Sequence, residues 1–104
     1  MNIYRNLYVG NSFKGKEKAI LRKIKYRRPQ VQAYLIVLSQ KEGEQFEIYH
    51  TAMLLQPLYF EQNPLIIGIA GSELEAYELV EEIAEEVYEA TKTLEMKKYI
   101  QERI

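Results

Sequence analysis

The sequence predicts an α+β fold. The expected architecture is a small antiparallel sheet of three strands, or four if residues 1–10 are extended, packed against a long C-terminal helix, with a basic N-terminal helix and a short terminal helix. Three observations carry this reading. Behind Ser72, the apolar residues Ala76, Leu79, Val80, Ile83, Val87 and Ala90 recur at helical spacing, with glutamates filling the opposite face. Segments 31–38 and 46–55 alternate with period two and are rich in residues that suit a pleated surface. Segment 65–69 is a short apolar run between a proline and a glycine-containing turn, as expected for a covered strand.

Each element follows in order. In residues 1–10, Ile3, Tyr4, Leu7 and Tyr8 fall at helical spacing, while Leu7-Tyr8-Val9 before Gly10-Asn11 suits a strand ending in a turn, so the segment stays open. Residues 14–27 read as a helix with the narrow apolar stripe Ala19, Ile20 and Ile24, stopped by Pro29. In the first strand, Val31, Ala33, Leu35 and Val37 are expected to point one way and Tyr34, Ile36 and Leu38 the other, so both sheet faces are expected to be at least partly covered. A polar loop over 39–44 joins it to the second strand as an antiparallel hairpin. Ser72-Glu73-Leu74-Glu75 is read as a capping box that opens the long helix. Thr91 to Thr93 are expected to bend or interrupt it, and Met96, Tyr99, Ile100 and Ile104 mark the short terminal helix.

A length of 104 residues predicts a single domain over 1–104, and no repeat or linker divides it. No apolar run approaches the ~18–20 residues of a membrane span, and the N-terminus lacks the order of a signal peptide. The chain contains no cysteine, which excludes disulfides, thiolate metal sites and cysteine nucleophiles. These features are those expected of a cytoplasmic protein without membrane attachment.

Charge is sorted by position. Residues 1–30 hold nine Lys or Arg and one acid, Glu17, a balance of +8; residues 71–91 hold eight Glu and no base, a balance of −8. The whole-chain value of −1 conceals both blocks. Lys18, Arg22, Lys25, Arg27 and Arg28 form the candidate nucleic-acid-binding set, because cations gathered near a helix end can neutralise phosphates. The same block can instead remain a solvated face or meet the glutamate-rich helix, within the chain or across an oligomer. The sequence pI of about 5.9 weighs against a dedicated nucleic-acid-binding domain, and the glutamates would repel a polyanion unless they lie on the far side.

The other candidates have structural readings beside their functional ones. His50 is the only side chain whose ordinary pKa lies near neutrality, but its expected neighbours Phe46, Ile48, Ala52 and Leu54 suit a core or rim position. Without Asp, a Ser-His-Asp arrangement is impossible. Gly68-Ile69-Ala70-Gly71-Ser72 joins a strand to a helix start, a place where phosphates bind, yet it lacks the lysine and spacing of a P-loop and carries Glu73 and Glu75 in the first helical turn. Tyr34 and Tyr49 on the hairpin, with Tyr59 and Phe60 beyond it, form a candidate aromatic recognition patch. Leu7-Tyr8-Val9-Gly10-Asn11 resembles the first motif of RNA-recognition motif domains, which implies base stacking on Tyr8. The resemblance stops at these five residues, since the second motif of that family has no counterpart and the expected element order differs.

The sequence therefore points to no catalytic centre, no metal and no cofactor. The expectation is a small non-enzymatic protein-interaction or regulatory domain acting through protein contacts. It is expected to form a homo-oligomer, of which a homodimer is the simplest form. A nucleic-acid-associated accessory protein is the alternative.

Overall fold

The computed structural model describes residues 2–26, 32–55 and 63–104. The elements are β1 (Asn2–Val9), α1 (Glu17–Lys25), β2 (Tyr34–Leu38), β3 (Phe46–His50), β4 (Leu65–Ala70), α2 (Glu73–Thr91) and α3 (Met96–Gln101), with 3-10 turns at Asn11–Phe13 and Thr51–Leu55. The fold is α+β, with four strands in the order β1-β4-β2-β3. β2 pairs antiparallel with β3, the hairpin that the alternating patterns predict, and also with β4, which joins the same sheet as expected. The sheet is mixed rather than wholly antiparallel, because β1 adds to β4 in parallel at one edge. Its partner lies some sixty residues downstream, so no local turn signal announces the pairing.

The sheet separates two apolar layers. On one side Tyr4, Ile36, Ile67 and Ala70 pack against Ala76, Leu79, Ile83 and Val87 of α2 and Ile100 of α3. On the other side Leu35, Val37, Ile66 and Ile69 meet Ile24 of α1, with Phe13, Ile20 and Leu21 at its margin. Alternation along β2 places its two side-chain sets in different layers, as expected. Ile66 and Ile67 fall on opposite sides by ordinary alternation, and the register shift of β4 against β2 between Ile36 and Val37 lets Ile66 and Ile69, three residues apart, share the α1 side.

Several boundaries differ from the sequence expectation for local reasons. α1 begins at Glu17 rather than at residue 14, since Gly15 adopts φ +85° in the turn over 14–16. The end of the expected helix at Arg27, and Val31 at the start of the expected first strand, lie outside the described residues. β3 stops at His50 rather than continuing to residue 55. There the Thr51 N–H donates to Ala33 O (2.9 Å) and the Ala52 N–H donates to His50 Nδ1 (3.1 Å), turning the chain into a 3-10 turn. α2 ends where Lys92 takes φ +60° and its N–H caps Tyr88 O, the interruption expected from the threonines.

The start of α2 is half of the expected capping box. Ser72 Oγ accepts from the Glu75 N–H at 3.1 Å. The Glu75 carboxylate does not return to the Ser72 N–H; its Oε1 accepts from the Gly71 N–H (2.9 Å) and from the Ser12 hydroxyl (2.8 Å). It therefore ties the helix start to the turn after β1.

Candidate functional site

α1 lays Ile20, Leu21 and Ile24 on the sheet, which leaves Lys18, Arg22, Lys23 and Lys25 exposed. Lys18, Arg22 and Lys25 follow one another at spacings of four and three, so they form a single row along the helix. A separation of seven residues spans about 10 Å of helix. Arg27 and Arg28, the other members of the predicted set, lie outside the described residues.

α2 repeats the arrangement with the opposite charge. Its core stripe of Ala76, Leu79, Ile83 and Val87 leaves Glu78, Glu82, Glu85 and Glu89 exposed, at spacings of four, three and four. Glu73, Glu81 and Glu86 are exposed as well. Leu74, Tyr77 and Tyr88, at 69%, 50% and 52% exposure, place apolar and aromatic surface beside this row. On α1, Ala19 is exposed next to Arg22, and Tyr26 beyond the helix end is 65% exposed.

The two rows lie on opposite faces of the sheet, so they do not pair within one chain. Among the described residues the one ion pair joins Lys41 to Glu47 at 3.7 Å, and neither belongs to the rows. Packed layers lie about 10 Å apart, so helix, sheet and helix set the two axes roughly 20 Å apart. At that separation a pair of unit charges interacts by only about 0.2 kcal/mol in water, and salt weakens the part of the field that passes through solvent, so the two rows interact little with one another. The acidic helix does lie on the far side from the basic one, which removes the repulsion argument against a polyanion at α1.

The remaining candidates are drawn into the fold. His50 Nδ1 accepts the Ala52 N–H, and its ring stands edge-on to Tyr34 at 5.1 Å. The Gly71 N–H at the strand-to-helix turn already serves the Glu75 carboxylate, which sits where a phosphate would need to bind. Burial pushes the Glu75 pKa up, but the hydrogen bonds from the Gly71 N–H, the Ser12 hydroxyl and the Ser12 backbone outweigh it and hold the carboxyl below its ordinary value. Tyr8 is not an open stacking platform. Its ring stacks on Tyr4 at 6.4 Å between centroids, and its hydroxyl donates to Glu86. Burial first, then that hydrogen bond and the charge of Glu86, raise the Tyr8 pKa well above its ordinary value.

The expected aromatic patch divides. Tyr34 packs on the α2 side of the sheet and Tyr49 on the α1 side, because they are paired with adjacent residues of the neighbouring strand. Tyr59 and Phe60 lie outside the described residues. An open hollow of about 430 Å³ between the hairpin loop and α3 is lined by Glu44, Gln45, Leu94, Lys97 and Lys98. Its polar groups serve the fold: Gln45 Oε1 accepts from the Met96 and Lys97 N–H groups, and Lys97 Nζ donates to Lys41 O and Glu44 O. Among the described residues no three metal-ligating side chains gather, and no helix is long and apolar enough to cross a membrane.

Comparison with known protein families, with curated proteins and with solved structures finds no match. The Ser12–Glu75–Gly71 clasp and the regular spacing of the acidic row are features that reading the sequence element by element passes over. The signal for the row lies in the intervals among its glutamates, not in their number.

Proposed function

We propose that this chain is a small, non-enzymatic, cytoplasmic protein-interaction domain that associates with itself, its docking guided by oppositely charged helix faces. The observation that supports this reading is the exposed cation row of α1 on one side of the sheet and the exposed carboxylate row of α2 on the other, neither taking part in an ion pair among the described residues. A nucleic-acid-associated role through Lys18, Arg22, Lys25, Arg27 and Arg28 accounts for α1 alone and leaves the acidic row without a purpose. Self-association uses both.

Magnitudes set what such an interface would look like. Exposed ion pairs contribute about 0.2–1 kcal/mol each, so three supply at most about 3 kcal/mol. Association loses an estimated 4–15 kcal/mol of translational and rotational freedom, so charge alone cannot hold two copies together. The exposed Leu74, Tyr77 and Tyr88 beside the acidic row, and Ala19 and Tyr26 beside the cations, offer the apolar area that must supply the rest. Charge then decides orientation and encounter rate, and affinity weakens as salt rises.

Sedimentation equilibrium of the purified chain, from tens to hundreds of micromolar at about 50 mM and about 500 mM salt, tests the reading. The expected result is a mass that rises with concentration at low salt and returns toward 12.3 kDa at high salt. A strict 12.3 kDa monomer throughout refutes it. A parallel titration with generic duplex DNA and RNA examines the alternative, for which phosphate contacts by all five residues predict a log–log salt slope of about −4.5 on duplex DNA.

A further inference from the structure

We infer that the partner of the α1 cation row is the α2 carboxylate row of a second copy, so that copies join head to tail instead of closing in a two-fold dimer. This deepens the self-association reading and rests on it.

The argument begins with spacing. Lys18, Arg22 and Lys25 stand at intervals of four and three, and Glu78, Glu82, Glu85 and Glu89 at intervals of four, three and four. The longer row contains both the order four-three and its reverse. With the helices parallel, Lys18, Arg22 and Lys25 meet Glu78, Glu82 and Glu85; with the helices antiparallel they meet Glu89, Glu85 and Glu82. Either direction pairs all three cations, and Arg22 remains at the centre of both arrangements. All seven side chains are exposed, so none must leave the core of its own chain to reach the contact.

The symmetry follows from where the fold places the rows. A two-fold interface sets one patch against the same patch on the partner. Applied to either charged helix face, that operation would put cations against cations or glutamates against glutamates. The two complementary faces are separated by the sheet, so each copy offers one of them to a neighbour on either side. Such a contact is heterologous and continues into a ring or an open chain.

Neutralising variants test the geometry. K18Q/R22Q/K25Q removes the cation face, and E78Q/E82Q/E85Q/E89Q removes the carboxylate face. Every position is exposed, and circular dichroism checks that both variants keep the wild-type fold. At the low-salt concentration where the wild type forms species larger than two chains, each variant alone is expected to be monomeric. An equimolar mixture should form a 1:1 complex of two 12.3 kDa chains that stops growing as concentration rises, because each variant retains one working face.

Four outcomes overturn the inference and separate its failure from that of the broader reading. A monomeric wild type removes self-association altogether. A wild type that stops at a dimer shows a two-fold interface. Variants that still associate by themselves leave self-association standing and move it to another surface. A cation-row variant that keeps its oligomeric mass but loses binding to generic RNA assigns α1 to a polyanion.

Discussion

Replacing Gly10 with alanine should destabilise the domain through one carboxylate, and the effect should reverse sign when that carboxylate is removed. A Cβ on Gly10 would lie 1.9 Å from Glu75 Oε1, 2.6 Å from its Cδ and 2.8 Å from its Cγ. The backbone of Gly10, at φ −63° and ψ 151°, accommodates alanine without strain, and the three atoms nearest the added Cβ all belong to the Glu75 side chain. That side chain can swing away, but it then gives up its hydrogen bonds from the Gly71 N–H and the Ser12 hydroxyl. Hydrogen bonds to charged groups contribute about 1.5–3 kcal/mol, and solvent around this half-exposed carboxylate brings the clasp toward about 1–3 kcal/mol in all. Gly→Ala at a compatible site stabilises by about 0.4–1 kcal/mol through the unfolded chain. The net loss for G10A is therefore centred near about 1.3 kcal/mol within a span of about 0–2.6 kcal/mol, and the central value is roughly 5–10 °C in Tm for a domain of this size. In an E75A background the obstacle is absent, and G10A should be neutral or stabilising by up to about 1 kcal/mol. Urea unfolding of the four members of this double-mutant cycle measures the coupling. Equal losses for G10A in both backgrounds would refute the clasp.

Three further expectations follow from the same geometry. The lowered pKa of Glu75 means that its stabilisation is complete above the unfolded-state pKa and is lost as pH falls through the folded value; the urea midpoint of wild type minus that of E75Q should shrink on acidification below about pH 4. For Tyr8 the sign runs the other way: the raised pKa gives stability that is complete below about pH 10 and lost as pH rises further, and tyrosinate absorbance should show a late-titrating group in the wild type that Y8F lacks. Ile83→Ala, at a fully buried position in the centre of the α2 core, should cost about 2–5 kcal/mol in thermal or urea unfolding; a loss below about 1 kcal/mol would mean that the α2 layer is not packed as described.

How much was legible in the sequence depends on the range of the interaction. α2 could be read because Ala76, Leu79, Ile83 and Val87 obey one local period, and Ser72 marks its start. β2 and β3 could be read because neighbours in sequence became neighbours in the sheet. β1 stayed ambiguous because its partner β4 is distant and parallel, so the period of residues 2–9 had no local turn to anchor it. The same distance concealed the Glu75 clasp. The serine and glutamate of a capping box are visible in four residues, but Ser12, which diverts the carboxylate, approaches from the other end of the chain. Tyr34 and Tyr49 appeared to share a patch because both lie on the hairpin; the pleat puts residues paired with adjacent partners on opposite faces. Charge sorting was visible from composition, but its meaning required the sheet as a divider.

That divider gives the charge blocks their physical consequence. Eight glutamates crowded on one helix repel one another, and nearby lysines would relieve that repulsion at little cost in packing, since exposed positions accept either sign. The chain holds many cations, yet within α2 itself there is none. Lys18, Arg22 and Lys25 instead occupy the helix that the topology carries to the other side of β4 and β2. Separated by roughly 20 Å, the cation row of α1 and the carboxylate row of α2 cannot neutralise each other, so these two described faces are poles of opposite sign. Under the proposed self-association, an approaching copy would come within a Debye length of one pole before any apolar surface touches. It is drawn in when it presents the complementary face and turned away when it presents the like one. If the proposed self-association holds, the arrangement forgoes attraction inside the chain in favour of encounters between chains, and its clearest signature should be an association rate that falls with salt while the urea midpoint of the monomer changes little.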